Sequence, residues 1–181
     1  PATHTRLDVS GVGKRGGEFV AGELQRAVDK ESVTRAALYE ACVRGSDRRS
    51  WLAFASGVEH AEHIAAVLNE WRIPAAAVHS KMPAKQRDTV IRAHKEGQLR
   101  AIVSNNILTT GYDHPAIDMI IMLRPTGSTV LWVQMGGRGT RIHPSKTDTL
   151  MLDFAGNCER LGPLNDPRLP RKGGDGGGEM P

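Results

Sequence analysis

The chain has 181 residues, a length that allows one sizeable domain and little beyond it. Apolar residues make up 39% and charged residues 24% of the chain, as in an ordinary soluble globular protein. The longest apolar runs, at 51–55 and 119–123, are far shorter than the roughly 20 residues of a membrane helix, so we expect no membrane span. A formal net charge of +4 permits contact with nucleic acid but does not require it.

Cysteine and histidine usage excludes several classes of site. Cys42 and Cys158 lie far apart and form no C-x-x-C pair, which argues against a zinc ribbon, a redox motif or a disulfide framework. Reduced thiols and the absence of a signal-like stretch in the first 30 residues predict a cytoplasmic protein. His60 and His63 have helical i, i+3 spacing, but a metal site needs further ligands. We therefore predict no metal site and place both histidines on an exposed polar helix face.

The apolar pattern predicts alternating strands and helices after a polar start that reaches about Gly17. We expect the chain to be cut from a longer protein. In chain order, the predicted elements are helix 21–29, helix 32–43 with Ser32 as its N-cap, strand 51–55, helix 58–71, strand 75–79, helix 84–96, strand 101–104, strand 118–123, helix 129–135 capped by Ser128, and strand 148–153. Apolar strands separated by helices predict an α/β fold, an open parallel sheet with helices on both faces.

The same pattern divides the chain into three regions. Residues 1–50 form an N-terminal connecting segment with helices, and residues 51–157 form the sheet domain. Residues 158–181 contain several prolines and a glycine run, so they are predicted to be a linker or disordered tail.

One segment, 134–141, combines arginines with glycines after a short helix. Arg138 and Arg141 are three residues apart, so two guanidinium groups on one turn could grip a polyphosphate from two sides. The neighbouring glycines allow close approach of a ligand. A flexible basic loop on a solvated surface explains the segment equally well when it is taken alone.

A second segment, 103–115, leaves the end of a predicted parallel strand. Open α/β sheets bind ligands at this end of their strands. The segment supplies hydroxyls from Thr109 and Thr110, a glycine at 111 and the carboxylate of Asp113. Alone, it is more simply interpreted as a polar turn.

Taken together and in order, these segments resemble the second RecA-like lobe of superfamily 2 helicases, of the DEAD/DEAH-related bacterial or phage type. The resembling segments are Trp51 to Ser56 (motif IV), His79-Ser-Lys-Met-Pro with Arg87, residues 103–115 (motif V), Leu123-Arg-Pro-Thr, residues 134–141 (motif VI) and Asp153-Phe-Ala-Gly-Asn. Any one match is weak, but several in the correct order over most of the chain are specific.

The resemblance implies a RecA-like fold and roles for individual residues. Arg138 and Arg141 resemble the motif VI arginines that reach the γ-phosphate of ATP, so they are the predicted catalytic residues. The residues implied at the nucleotide are Gln134, Gly111 and Asp113. Those implied at the nucleic-acid backbone are Arg87, Thr109, Thr110 and Lys81. Backbone contacts of this kind provide affinity without sequence specificity.

Three positions depart from the DEAD-box pattern. Position 134 is Gln where those members carry His, position 135 is Met where they carry Arg, and position 84 is Ala where they carry Gln. These departures favour a DNA-type relative over an RNA helicase.

A complete motor also needs a phosphate loop of G-x-x-x-x-G-K-[ST] type and a carboxylate pair for Mg²⁺. Gly13-Lys14 is followed by Arg15, so it does not form that loop, and no Asp-Glu pair occurs. The resemblance therefore implies that ATP and Mg²⁺ bind together with an N-terminal RecA-like lobe of the same protein. This chain alone is predicted to be inactive.

Two other functions stay open on the sequence. The chain could be a stand-alone RecA-like module that binds nucleic acid or a partner without hydrolysing ATP. It could also be a nucleotide-dependent enzyme of Rossmann type, such as a glycosyltransferase. The second is disfavoured because Gly57-Val-Glu, after the first strand, lacks the glycine-rich turn of that fold.

Overall fold

The computed structural model of the chain describes residues 3–105, 108 and 112–168. Its elements in chain order are β1 (Lys14–Arg15), β2 (Glu18–Phe19), α1 (Ala21–Val28), α2 (Glu31–Arg44), β3 (Trp51–Ala55), α3 (Val58–Glu70), β4 (Ala75–Val78), α4 (Ala84–Lys95), β5 (Ala101–Ser104), β6 (Met119–Leu123), α5 (Thr129–Gly136), β7 (Leu150–Asp153) and α6 (Asn157–Leu161). Among the described residues, no helix is both long and apolar enough to cross a membrane.

Five strands form one parallel sheet in the order β4-β5-β3-β6-β7. Trp51 at the start of the central strand β3 lies opposite Ala101 of β5 on one side and Met119 of β6 on the other. Every residue of β3 is buried, as expected for a strand covered on both faces. The predicted RecA-like open parallel sheet is confirmed.

Helices cover both faces of this sheet and create two cores. Alternate residues of β3 point to opposite faces, so Trp51 and Ala53 enter one core whereas Leu52 and Phe54 enter the other. Helices α1, α2 and α3 pack on the first face, and α4, α5 and α6 pack on the second. The largest side chain of the second core is Trp132 of α5.

The N-terminal region belongs to the same packed body. Leu7 donates its backbone N–H to the carbonyl of Phe154 at 2.9 Å, just beyond β7. The carboxylate of Glu18 accepts from the Gly127 N–H at 2.9 Å and from the Thr126 hydroxyl at 2.5 Å. The two-residue strands β1 and β2 are too short to produce an apolar pattern, so the sequence did not predict them. The proposed boundary at residue 50 stays a prediction.

The structure continues in regular form beyond the predicted start of the tail at residue 158. Helix α6 spans that position, and Leu161 and Leu164 pack against the second core. The indole of Trp132 donates to the Gly162 carbonyl at 3.0 Å. Helix α6 is short and lies next to glycines and prolines, so the sequence pattern did not predict it. Residues 169–181 lie outside the described part of the chain.

Two local predictions are wrong. Helix α2 begins at Glu31 after Lys30, without a side-chain cap, so Ser32 is inside the helix and does not cap it. His60 is fully buried and does not lie on an exposed face; its Nδ1 accepts from the backbone N–H of Ser56 at 3.3 Å. Its ring is buried beside the end of β3, where only Nδ1 has a hydrogen-bond partner among the described residues and Nε2 has none.

Candidate functional site

Helix α5 delivers the two arginines. The hydroxyl of Ser128 accepts from the Leu131 N–H at 3.2 Å, so the predicted N-cap is confirmed. The helix ends at Gly136, and residues 137–141, here called the arginine loop, follow it. Arg138 is half-buried at the base of this loop and Arg141 is exposed further along it.

The segment that contains Asp113 lies close to the amino ends of the parallel strands. His114 Nε2 lies 3.1 Å from the hydroxyl of Ser50, the residue before β3. The carboxylate of Asp118 accepts the backbone N–H groups of Arg49 and Ser50 at 2.8 and 2.9 Å. Residues 112–118 are therefore fixed at the amino ends of the parallel strands, which we call the amino edge.

The arginine loop and this segment meet at the amino edge. Arg138 Nη1 donates to the Tyr112 carbonyl oxygen at 2.8 Å. Arg141 forms an ion pair with Asp113, and these side chains are 41% and 67% exposed. Two patterns that the sequence separates by more than 20 residues thus form one exposed polar site.

The electrostatics of this site concentrate positive charge. Burial lowers the pKa of Arg138, the positive charge of Arg141 lowers it further, and Asp113 raises it. The two guanidinium groups therefore repel each other, and the carboxylate of Asp113 offsets that repulsion. An anion with several charges could offset it more fully.

The position of the site corrects one expectation. Segment 103–115 was predicted to bind its ligand where strand β5 ends, but Asp113 lies at the opposite edge of the sheet. The physical reason is that the chain must return from the carboxyl end of β5 to the amino end of β6, because these strands are parallel. One connection therefore reaches both edges.

Other predicted residues lie elsewhere. Lys81 is exposed in the turn after β4, and Arg87 is half-buried in the first turn of α4, so both lie near the carboxyl ends of the strands. Gln134 is exposed on α5. Thr109, Thr110 and Gly111 lie outside the described residues.

Sequence reasoning missed a buried polar network beneath the site. His94 Nδ1 lies 2.6 Å from the hydroxyl of Tyr112, and His94 Nε2 lies 3.4 Å from Ser50 Oγ. Burial, followed by the charge of His114, lowers the pKa of His94 to about 4, and burial raises the pKa of Tyr112. The sequence alone identified no partner for His94.

The geometry agrees with what comparison with known proteins shows. Residues 33–143, more than half of the chain, match the family model described as "Helicase conserved C-terminal domain". The chain belongs to this helicase family. Its recognition as the second RecA-like lobe of a superfamily 2 helicase is therefore confirmed.

Individual relatives agree with this assignment. The chain is 33% identical over 149 residues to a Schizosaccharomyces pombe protein named as a mitochondrial ATP-dependent helicase, irc3, with 80% of this chain and 25% of the relative covered. It is 26% identical over 155 residues to the ATP-dependent RNA helicase MAK5 of Candida albicans, with 83% and 19% covered. The chain thus spans a quarter or less of the length of these relatives.

A solved structure supports the fold. A fragment described as an HsdR subunit of a type I restriction enzyme from Vibrio vulnificus YJ016 superposes with a TM-score of 0.69 at 20% identity. The match covers 81% of this chain and 31% of that one. At this identity, the likeness shows a shared fold.

Proposed function

We propose that this helicase lobe is the C-terminal half of an ATP-dependent DNA helicase or translocase. The observation that carries the proposal is the meeting of Arg138 and Arg141 with Asp113 at an exposed edge of the sheet. Two guanidinium groups on one loop, those of half-buried Arg138 and exposed Arg141, suit a polyphosphate shared with a second protein surface.

The proposed chemistry is charge stabilisation during phosphoryl transfer. ATP lies between this lobe and an N-terminal RecA-like lobe of the same protein, and that lobe holds the Mg²⁺. Arg138 and Arg141 neutralise charge that develops on the transferred phosphoryl group, an effect worth about 10³- to 10⁵-fold in rate for an arginine finger. In this structure Arg141 pairs with Asp113, and an exposed pair of this kind is weak enough for a phosphate to replace the carboxylate.

Other residues at the nucleotide have supporting roles. Gln134, exposed on α5 one turn before Arg138, would couple the nucleotide to the contact between lobes. Gly111 and Asp113 would lie beside the nucleotide at the cleft. Asp113 would also hold Arg141 in place until ATP binds.

Nucleic acid is proposed to bind at the opposite edge, where the strands end. Lys81 and Arg87, which lie at this edge, would contact the sugar-phosphate backbone, with Lys81 the weaker candidate. Thr109 and Thr110 are proposed as further contacts to the same backbone. Because the connection between β5 and β6 reaches both edges, movement at one edge can be transmitted to the other. Alternate binding and release of one nucleic-acid strand by the motor would then drive translocation.

DNA is the proposed substrate because of this chain's own residues. Gln134, Met135 and Ala84 depart from the DEAD-box pattern, although one relative is named an RNA helicase. Binding of matched DNA and RNA strands by the full-length protein tests this choice, and a preference for RNA would contradict it. We also propose that the protein is located in the reducing cytoplasm, because Cys42 and Cys158 are free thiols.

A direct test compares this chain with the full-length protein. The chain alone should show no Mg²⁺-dependent ATP hydrolysis, whereas the full-length protein should hydrolyse ATP and be stimulated by DNA. Turnover by the isolated chain that Arg138→Ala abolishes would contradict a shared site. A full-length protein without a phosphate loop and without ATPase activity would favour the stand-alone binding module.

A further inference from the structure

The arginine loop is held by a lysine that neither the sequence patterns nor the proposed chemistry include. Lys146 Nζ donates to the Gly139 carbonyl at 2.7 Å and to the Ile117 carbonyl at 2.5 Å. It also lies 3.1 Å from the hydroxyl of Thr149. An ammonium group has three N–H donors, so these three oxygen atoms satisfy it completely.

A second side chain supports the same carbonyl. Thr149 Oγ1 donates to the Gly139 carbonyl at 2.6 Å while accepting from Lys146. Burial lowers the pKa of Lys146, and the carboxylate of Asp118 raises it. The ammonium is therefore partly desolvated, which strengthens its hydrogen bonds to the two carbonyl groups.

The backbone at Gly139 is pressed against the sheet. A Cβ atom at this position would lie 2.6 Å from Thr149 Cγ2 and 2.8 Å from Ile120 Cδ1. A larger residue therefore fits only if the Thr149 and Ile120 side chains, or the loop itself, move. Gly139 is thus an anchored point between Arg138, one residue earlier, and Arg141, two residues later.

We propose that Lys146, assisted by Thr149, is a positioning residue for the arginine pair. Its ammonium joins the arginine loop, through Gly139, to the segment that contains Asp113, through Ile117. Both sides of the site are thereby fixed relative to each other and to the sheet. The inference rests on the proposed role of Arg138 and Arg141 in ATP hydrolysis.

The expected effect of losing this contact is a fall in turnover with little change in binding. Lys146 uses its three N–H donors on oxygen atoms of the protein and is not proposed to contact ATP, so the KM for ATP should stay within about threefold. A misplacement of about 1 Å in a catalytic group can cost about 100-fold in rate, so Lys146→Met should lower kcat by about 10- to 100-fold. Thr149→Val should lower kcat by a smaller factor. Thr149→Ser keeps the hydroxyl, so its kcat should be close to that of the wild type.

The experiment measures DNA-stimulated ATP hydrolysis by the full-length protein with Lys146→Met, Arg138→Ala and both together. Lys30→Met, at an exposed lysine before α2, is the matched control and should behave as wild type. Because Lys146 would act through the arginines, the double variant should match Arg138→Ala within about threefold. If Lys146→Met does not fold, as judged by circular dichroism, the same cycle with Thr149→Val decides.

The outcomes separate this inference from the function on which it rests. Unchanged kcat in Lys146→Met, or additive losses in the double variant, would overturn the positioning role while leaving the arginine assignment intact. Unchanged kcat in Arg138→Ala would overturn the proposed function itself, and the positioning role with it. A loss in Lys146→Met that disappears in the Arg138→Ala background supports both.

Discussion

Arg141 forms an ion pair with Asp113, a residue 28 positions earlier in the chain. Both side chains are substantially exposed, and ion pairs at such positions contribute little to folding. The pair joins the two segments that distinguish this site. Its geometry therefore matters for what the site can bind more than for how stable the lobe is.

Removing that carboxylate should leave stability nearly unchanged. We expect Asp113→Ala to change the free energy of unfolding by less than about 1 kcal/mol, measured by urea denaturation. The same substitution at buried Asp118, which accepts two backbone N–H groups, should cost about 2 kcal/mol or more. Equal losses in the two variants would mean that the Asp113 pair is a structural contact.

The buried hydroxyl of Tyr112 should contribute measurably to stability. Tyr112→Phe leaves His94 Nδ1 without its partner at 2.6 Å, in a region away from water. We expect a loss of about 1 to 3 kcal/mol by urea denaturation, the usual cost of a buried unpaired polar group. Tyr39→Phe is the control, because that ring is 66% exposed and its loss should be near zero. A Tyr112→Phe protein as stable as wild type would contradict the network.

Stability should fall as the pH decreases from about 7 towards 4. Burial holds the pKa values of His60 and His94 near 4, against an ordinary value of 6.5. In this window the unfolded chain binds protons that the folded chain does not, so acid favours unfolding. Between about pH 7.5 and about pH 5.5 the two histidines together should cost about 2 to 3 kcal/mol.

The check is urea denaturation across that pH range, with His94→Gln as the variant. The substitution removes one of the titrating groups, so the loss of stability with acid should be less steep than in wild type, while His60 and His114, whose pKa values burial also lowers, still contribute. A free energy of unfolding that stays level or rises as the pH falls from neutral would show that these rings are not buried in neutral form.

Much of the fold could be predicted because it depends on local pattern. The buried run at 51–55 identifies the central strand, and the hydroxyl of Ser128 beside a short apolar run identifies a helix start. The arginines and Asp113 could be found by their spacing and order along the chain. These features can be recognised from the sequence of each segment alone, without knowledge of its tertiary contacts.

The remaining features depend on contacts between distant segments. No local pattern links His94 to Tyr112, because the two side chains belong to separate segments of the chain. None links Lys146 to the carbonyl of Ile117, because a backbone oxygen has no signature in the sequence. The edge at which Asp113 lies could have been predicted, because the parallel sheet expected from the sequence already requires the connection from β5 to β6 to return to the amino edge.

Nucleic-acid binding should depend on Arg87 through charge alone. Arg87→Ala in the full-length protein should weaken single-strand binding and reduce the salt dependence by about one phosphate contact. The loss should be equal for unrelated base sequences, because backbone contacts do not read bases. Arg26→Ala is the charge-matched control, because Arg26 is exposed on α1, which packs on the opposite face of the sheet from α4. An unchanged salt dependence in Arg87→Ala would place the nucleic acid elsewhere.

The central claim, that two guanidinium groups of this lobe act on ATP bound mainly by another lobe, is tested most directly by single-turnover ATP hydrolysis. In the full-length protein, Arg141→Ala and Arg138→Ala should each bind ATP within a few-fold of wild type. Each should lower the rate of hydrolysis by at least about 100-fold. Hydrolysis at nearly the wild-type rate in both variants would contradict the account.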